Sequence, residues 1–227
     1  MKIRLIVPAL LFCIIGYGQQ DQQQKISPIY KDTLGNIISS EAFEEKLKSG
    51  QYSASMSSKE GKVSLILVNK KKAEKLFAEQ MNEFKKGLVN TKFPDFRLKK
   101  LDGSEISAKS LAGKTVVFNF WFIGCKPCVS EMPLLNGLVE QYKNRSDVVF
   151  LAPALDEQEK LVEFFNNHTF SYQVLSSAKE FVKKMKISSF PTHIIVDSKG
   201  LIQEVMIGGR EDINKVLTEA IDKVLVK

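Results

Sequence analysis

Histidine and cysteine are scarce in this chain, two and three residues out of 227. That count excludes a disulfide-dense scaffold. A zinc centre, which wants about four ligands, would have to gather Cys125, Cys128 and the distant His168 and His193, so none is expected. Long apolar runs are missing too. The longest, Leu5 to Ile15, is interrupted by Pro8 and falls well short of the roughly 20 residues a membrane-spanning helix needs. Nor is there a basic stripe interleaved with aromatics. The formal charge of +7 is diffuse, and its one cluster, Asn69-Lys70-Lys71-Lys72, runs into the helical pattern Ala73, Leu76, Phe77, Met81, Phe84 as a solvated helix start. Nucleic-acid binding is therefore not expected. With 44% hydrophobic and 26% charged residues, disorder and collagen-like repeats are excluded as well.

What is present begins with a leader. Lys2 and Arg4 precede the apolar run, which ends in the small and polar residues Gly16-Tyr17-Gly18-Gln19. This is the layout of a secretory signal peptide. Cleavage after Gly18 would remove residues 1–18 and deliver the protein to the periplasm or the outside. Lipidation at Cys13 is the competing route and the only one that implies membrane attachment; bulky Phe12 stands where such processing wants a small residue. After a polar lead-in over residues 19–25, residues 26–88 read as small α/β structure. A turn is expected at Asp32–Asn36, a helix from Ser40 to near Gly50, a strand over Val63–Val68 and an amphipathic helix over residues 70–88. No motif with chemistry falls there, so residues 19–90 are taken as a docking or dimerising appendage.

From Phe93 onward strands and helices alternate, which predicts a layered α/β domain over residues 91–227. Thr115 to Ile123 is a nearly continuous apolar run, as in a strand buried on both faces. Gly124-Cys125-Lys126-Pro127-Cys128 follows, then a helix to about Lys143. A strand is expected at Val148–Ala152 and helices at Glu157–Asn167 and Phe181–Lys186. Strands at His193–Val196 and Leu201–Ile207 flank the turn Asp197-Ser198-Lys199-Gly200 as an antiparallel hairpin. Asp156 and Glu157 read as a helix cap, and His193 as a packed or edge residue. A last helix carries Ile213, Val216, Leu217, Ala220, Ile221, Val224 and Leu225 on one stripe.

Two cysteines two apart at a strand-to-helix junction have a specific use. The first sits where unpaired backbone N–H groups and the helix dipole stabilise a negative charge, so Cys125 is the expected exposed nucleophile. Lys126 adds positive charge, and Pro127 suits the first turn with its fixed φ and missing N–H. Cys128, more covered, is within reach to resolve a mixed disulfide. A purely structural disulfide remains open, although so short a loop constrains the unfolded chain little. Glu131 lies three residues after Cys128 on the neighbouring helix face. It could take or return the Cys128 proton, or merely suit the helix dipole.

The segment Phe120-Trp121-Phe122-Ile123-Gly124-Cys125-Lys126-Pro127-Cys128 resembles the active-site loop of thioredoxin-like thiol-disulfide oxidoreductases, especially the TlpA and ResA type. Phe93-Pro94-Asp95-Phe96-Arg97-Leu98, Leu101-Asp102-Gly103 and Leu111-Ala112-Gly113-Lys114 resemble that group's opening segment. Ser189-Phe190-Pro191-Thr192 resembles its cis-proline loop, and Glu131 and Pro133 its glutamate and proline after the second cysteine. Two positions depart from the pattern: Gly124 stands where an aromatic residue is common, and Asn119 where thioredoxin itself has a buried Asp. The resemblance implies an α/β, thioredoxin-like fold, a central mixed sheet flanked by helices, with the small N-terminal α/β segment appended. It implies a Cys125–Cys128 dithiol/disulfide centre that reduces disulfides of client proteins without a metal or organic cofactor. An unidentified electron donor would regenerate it, and cytochrome c maturation is one setting. By their place in the strand Trp121, Phe120 and Phe118 read as core, but the resemblance lets Trp121 form the active-site surface with Lys126 and Pro127; Phe190, Pro191 and Thr192 would be the substrate loop, with Pro191 cis and facing the cysteines. A peroxiredoxin-like peroxidase and a non-catalytic binding module are the competing readings; the first is disfavoured by Cys128.

Overall fold

The computed structural model describes residues 28–59 and 62–226. The leader, its cleavage point at Gly18, Cys13 and the lead-in of residues 19–25 lie outside the described residues. The chain divides into two compact units between Glu74 and Lys75.

In the first unit, β1 (Ile29–Lys31), α1 (Ser40–Lys48), β2 (Tyr52–Lys59) and β3 (Lys62–Asn69) precede α2 (Lys70–Leu88), which runs on into the second unit. The turn after β1 is tied by Asp32 Oδ1, which accepts the N–H groups of Leu34 and Asn36 at 2.9 and 2.8 Å. Ser39 caps α1 by accepting the Ala42 N–H at 3.2 Å. The strands are ordered β1-β3-β2, with β3 parallel to β1 and antiparallel to β2. The strand β2 carries little apolar signal of its own, and its place is set by pairing along the whole length of apolar β3. Among the described residues Phe43 and Leu67 are the buried apolar side chains of this unit, with the ring of Tyr30 tilted against Phe43 at 5.1 Å.

The second unit contains β4 (Arg97–Lys100), β5 (Glu105–Ser107), a 3₁₀ turn at Ala108–Leu111, β6 (Thr115–Phe120) and α3 (Lys126–Gln141). There follow β7 (Val148–Pro153), α4 (Gln158–Phe164), β8 (Gln173–Ser176), α5 (Lys179–Lys184), β9 (Thr192–Val196), β10 (Ile202–Ile207) and α6 (Ile213–Leu225). Seven strands form one mixed sheet in the order β10-β9-β6-β7-β8-β4-β5. β6, β7 and β8 are parallel neighbours; the other pairings are antiparallel, the expected β9–β10 hairpin included. Alternation along β6 makes a core on each face. Val116, Phe118 and Phe120 join Phe93, Phe181 and Val182, while Val117 and Trp121 join residues of α3, α4 and α6. Among the described residues no helix is long and apolar enough to cross a membrane.

Candidate active site

β6 lies in the interior of the sheet and every one of its residues is buried. The strand expected to reach Ile123 ends at Phe120, the last residue paired with β9, while Trp121 keeps the β6–β7 register in a bridge to Ala154. Trp121 N–H donates to the Pro153 carbonyl at 3.2 Å, and Leu155 N–H donates to the Trp121 carbonyl at 3.1 Å. Ile123 N–H donates to Asp156 Oδ2 at 2.8 Å. These three bonds fix the loop in front of the cysteines. Asp156 is thus a brace for that loop and not a cap of α4. Glu157 holds the cap position without a side-chain cap bond, and its carboxylate accepts the Ser177 hydroxyl.

Cys125 is the N-cap of α3, and its Sγ accepts the Cys128 N–H at 3.3 Å. Pro127 occupies the first turn, where no N–H is needed. The two cysteines are joined as a disulfide with their Cα atoms 5.3 Å apart. Cys125 is 5% exposed and Cys128 fully buried. The expected order of exposure holds, but Cys125, expected exposed, is itself buried in one core cluster with Cys128, Trp121 and Met132. Lys126 and Pro127 are exposed beside it.

Trp121, core by its residues but placed on the active-site surface by the resemblance, is fully buried. Its ring lies 5.6, 6.0 and 6.0 Å from those of Phe164, Phe165 and Phe170. It continues the inward alternation of β6 by two steps from Val117 and Asn119, so it is core. The half-buried ring at the site is instead Phe122, edge-on to Phe190 at 5.3 Å. The Phe190–Pro191 peptide is cis. Pro191 and Thr192 are buried, Thr192 Oγ1 donates to the Ser189 carbonyl at 2.7 Å, and the Pro191 carbonyl accepts the Gly208 N–H at 2.9 Å.

Glu131 is 3% exposed and makes two bonds. Its Oε1 accepts the Arg210 N–H at 2.7 Å, and its Oε2 lies 3.1 Å from His193 Nε2. The Arg210 guanidinium turns away to pair with Asp212. Between these bonds Gly209 approaches so closely that a Cβ there would stand 2.7 Å from Pro127 Cβ. A cleft of about 420 Å³ opens at this point, lined by Pro127, Ser130, Glu131, Leu134, Gly209, Arg210 and Glu211. A larger one of about 480 Å³, lined by Leu101, Phe165, His168 and Phe170 among others, contains neither cysteine.

Several buried polar atoms on the α3 side of the sheet have no hydrogen-bond partner in the protein: both amide atoms of Asn119, Trp121 Nε1, His193 Nδ1 and the Tyr172 hydroxyl. Burial, and then the charge of Glu131, push the Tyr172 phenol well above its ordinary range. Among the described residues no group of three or more His, Cys, Asp or Glu side chains converges as metal ligands would. The sequence reading missed three features: the brace at Asp156, the Gly208–Arg210 loop and the contact of His193 with Glu131. Only the last had a usable signal, a histidine inside an otherwise apolar buried strand, where a polar side chain needs a partner.

Comparison with known proteins fits this geometry. The AhpC/TSA family model matches residues 89–205. The chain belongs to the AhpC/TSA family. It is a thioredoxin-like thiol-disulfide oxidoreductase, similar to proteins that carry those names. The thioredoxin-like protein YneN of Bacillus subtilis is 35% identical over 117 residues, 51% of this chain and 69% of the relative. The thiol-disulfide oxidoreductase ResA of Bacillus thuringiensis is 32% identical over 122 residues, 53% of this chain and 70% of the relative. A thiol:disulfide interchange protein of the thioredoxin family from Chlorobium tepidum superposes with a TM-score of 0.53 at 23% identity, covering 60% of this chain and 97% of that one. That likeness carries the fold: a mixed sheet flanked by helices.

Proposed function

We propose that Cys125 and Cys128 are the catalytic pair and that they reduce disulfides of client proteins outside the cytoplasm, the compartment to which a cleaved leader would send the chain. The observation that carries this reading is Cys125 at the helix N-cap with a backbone N–H on its sulfur. Charge on that sulfur is stabilised by the N–H and by the helix dipole when the pair is reduced. Cys125 thiolate attacks a client disulfide, forming a mixed disulfide and releasing one client thiolate. Cys128 then loses its proton to Glu131, attacks Cys125 Sγ and expels the second client thiolate, so the client gains two electrons and the pair becomes the disulfide. An external dithiol donor returns it to the reduced state. Phe190, Pro191 and Thr192 are taken as the substrate loop, with exposed Lys126 and Pro127 flanking the sulfur. The thioredoxin-like domain is taken as residues 91–227, with residues 19–90 as its appendage.

Trapping tests the roles. Cys128→Ser should accumulate mixed disulfides with clients, visible on non-reducing gels, and Cys125→Ser should not. Equal trapping by both variants would remove the assignment. Cytochrome c maturation is the first setting in which to look for clients, and the measured reduction potential decides the direction of electron flow. Peroxide consumption by the reduced protein would instead favour a peroxidase.

A further inference from the structure

We infer that His193 is the positioning residue of Glu131, so that the buried carboxylate and imidazole act as one proton-holding unit beside the cysteine pair. The inference rests on the reading of Glu131 as the acceptor of the Cys128 proton and adds a residue to it.

Glu131 comes from α3 and His193 from β9, 62 residues apart in sequence, and their side chains are 4% and 0% exposed. A carboxylate has no proton to give, so at 3.1 Å the contact is made by an Nε2–H donating to Oε2. The other nitrogen, Nδ1, has no partner. The ring meets Glu131 through Nε2 alone. What it does is hold Oε2 while Arg210 N–H holds Oε1, which fixes the carboxylate on α3 with one N–H on each oxygen. Asn119 lies directly across the sheet from His193 in the β6–β9 register; its amide is neutral and unpartnered. The other titratable groups facing the pair are Tyr172, kept neutral by burial, the Arg210–Asp212 ion pair, Glu211 in the cleft, and the two cysteines. None of these offers the carboxylate a second side-chain donor, so His193 supplies the one it has.

The test is the pH profile of disulfide exchange, from pH 5 to 9, between the reduced full chain and oxidised glutathione. Wild type is compared with Glu131→Gln, His193→Phe, His193→Gln and the double variant Glu131→Gln/His193→Phe. Removing the donor should move the acid limb of the profile upward by about one pH unit in His193→Phe. The limb should return toward wild type in His193→Gln, whose amide N–H falls where the imidazole Nε2–H sits. In the Glu131→Gln background the His193→Phe change should leave the profile where Glu131→Gln alone puts it. A His193→Phe protein that is slower by one factor at every pH, with the limb in place, would overturn the inference and leave a packing role. A Glu131→Gln protein with the wild-type profile would instead overturn the underlying reading of Glu131. Should His193→Phe fail to fold, imidazole ¹⁵N shifts of the wild-type protein decide. A ring protonated on Nε2 is expected, and a proton on Nδ1 alone overturns the proposal.

Discussion

At Gly209 the absence of a side chain does structural work at the candidate site. The residue sits between Gly208, whose N–H holds the Pro191 carbonyl, and Arg210, whose N–H holds Glu131. A Cβ built on it would run into Pro127, one residue before Cys128. An added methyl at 2.7 Å from Pro127 Cβ meets a rigid ring on a helix terminus, which has no flexible end to move aside. Gly209→Ala is expected to cost about 1–3 kcal/mol, the usual range for overpacking a tight contact. Urea unfolding measures that loss. The same substitution should lengthen the Arg210-to-Glu131 bond and slow exchange, whereas an unchanged midpoint would mean that the loop relaxes freely.

Among the elements, α3 and α6 lie side by side over the face of the sheet that carries the cysteines, and their junction has a polar latch. Tyr142, at the C-cap of α3, donates its hydroxyl to Asp222 Oδ1 of α6 at 2.7 Å. Burial first, and then the bond to Asp222, hold this phenol above its ordinary range. Because Asp222 is exposed, the bond is worth less than a fully buried charged one, and Tyr142→Phe is expected to lose about 1 kcal/mol by urea unfolding. The pH dependence has a definite sign. A phenol whose folded pKa is raised contributes stability that is complete below its unfolded value near 10 and is lost as pH climbs beyond it. Tyr142 and Tyr172 both act this way. Wild type should therefore lose stability above about pH 10, and Tyr142→Phe should lose less of it over that range.

For the molecule as a whole, every residue assigned to the redox site belongs to the second unit, from Cys125 through Arg210. That unit holds two cores, one on each face of a seven-stranded sheet. Among the described residues the first unit buries only the apolar side chains of Phe43 and Leu67, a core too small to carry much stability. A chain beginning at Lys70 is therefore expected to keep a cooperative unfolding transition and the exchange rate of the full chain. Loss of exchange on this truncation, with the fold retained by circular dichroism, would assign the N-terminal unit a part in the reaction and remove its description as an appendage.

The elements of the second unit were legible wherever the local signal was strong: the apolar run of β6, the Cys-Lys-Pro-Cys start of α3, the turn at Asp197–Gly200 and the stripe of α6. The short strands β4, β5 and β8 were not legible, since three or four residues with mixed polarity carry no period of their own and are fixed by the ladders they join. Trp121 was legible as core from its residues and as surface only by resemblance; the β6–β7 register, which carries it beside Ala154, decided for the core. Residue type and spacing determined that two thiols meet at a helix N-terminus, since that geometry is local to four residues. Tertiary structure alone decided what faces Glu131. His193 and Arg210 lie far along the chain, and a sheet register and a glycine loop bring their N–H groups to one buried carboxylate, which water can no longer satisfy.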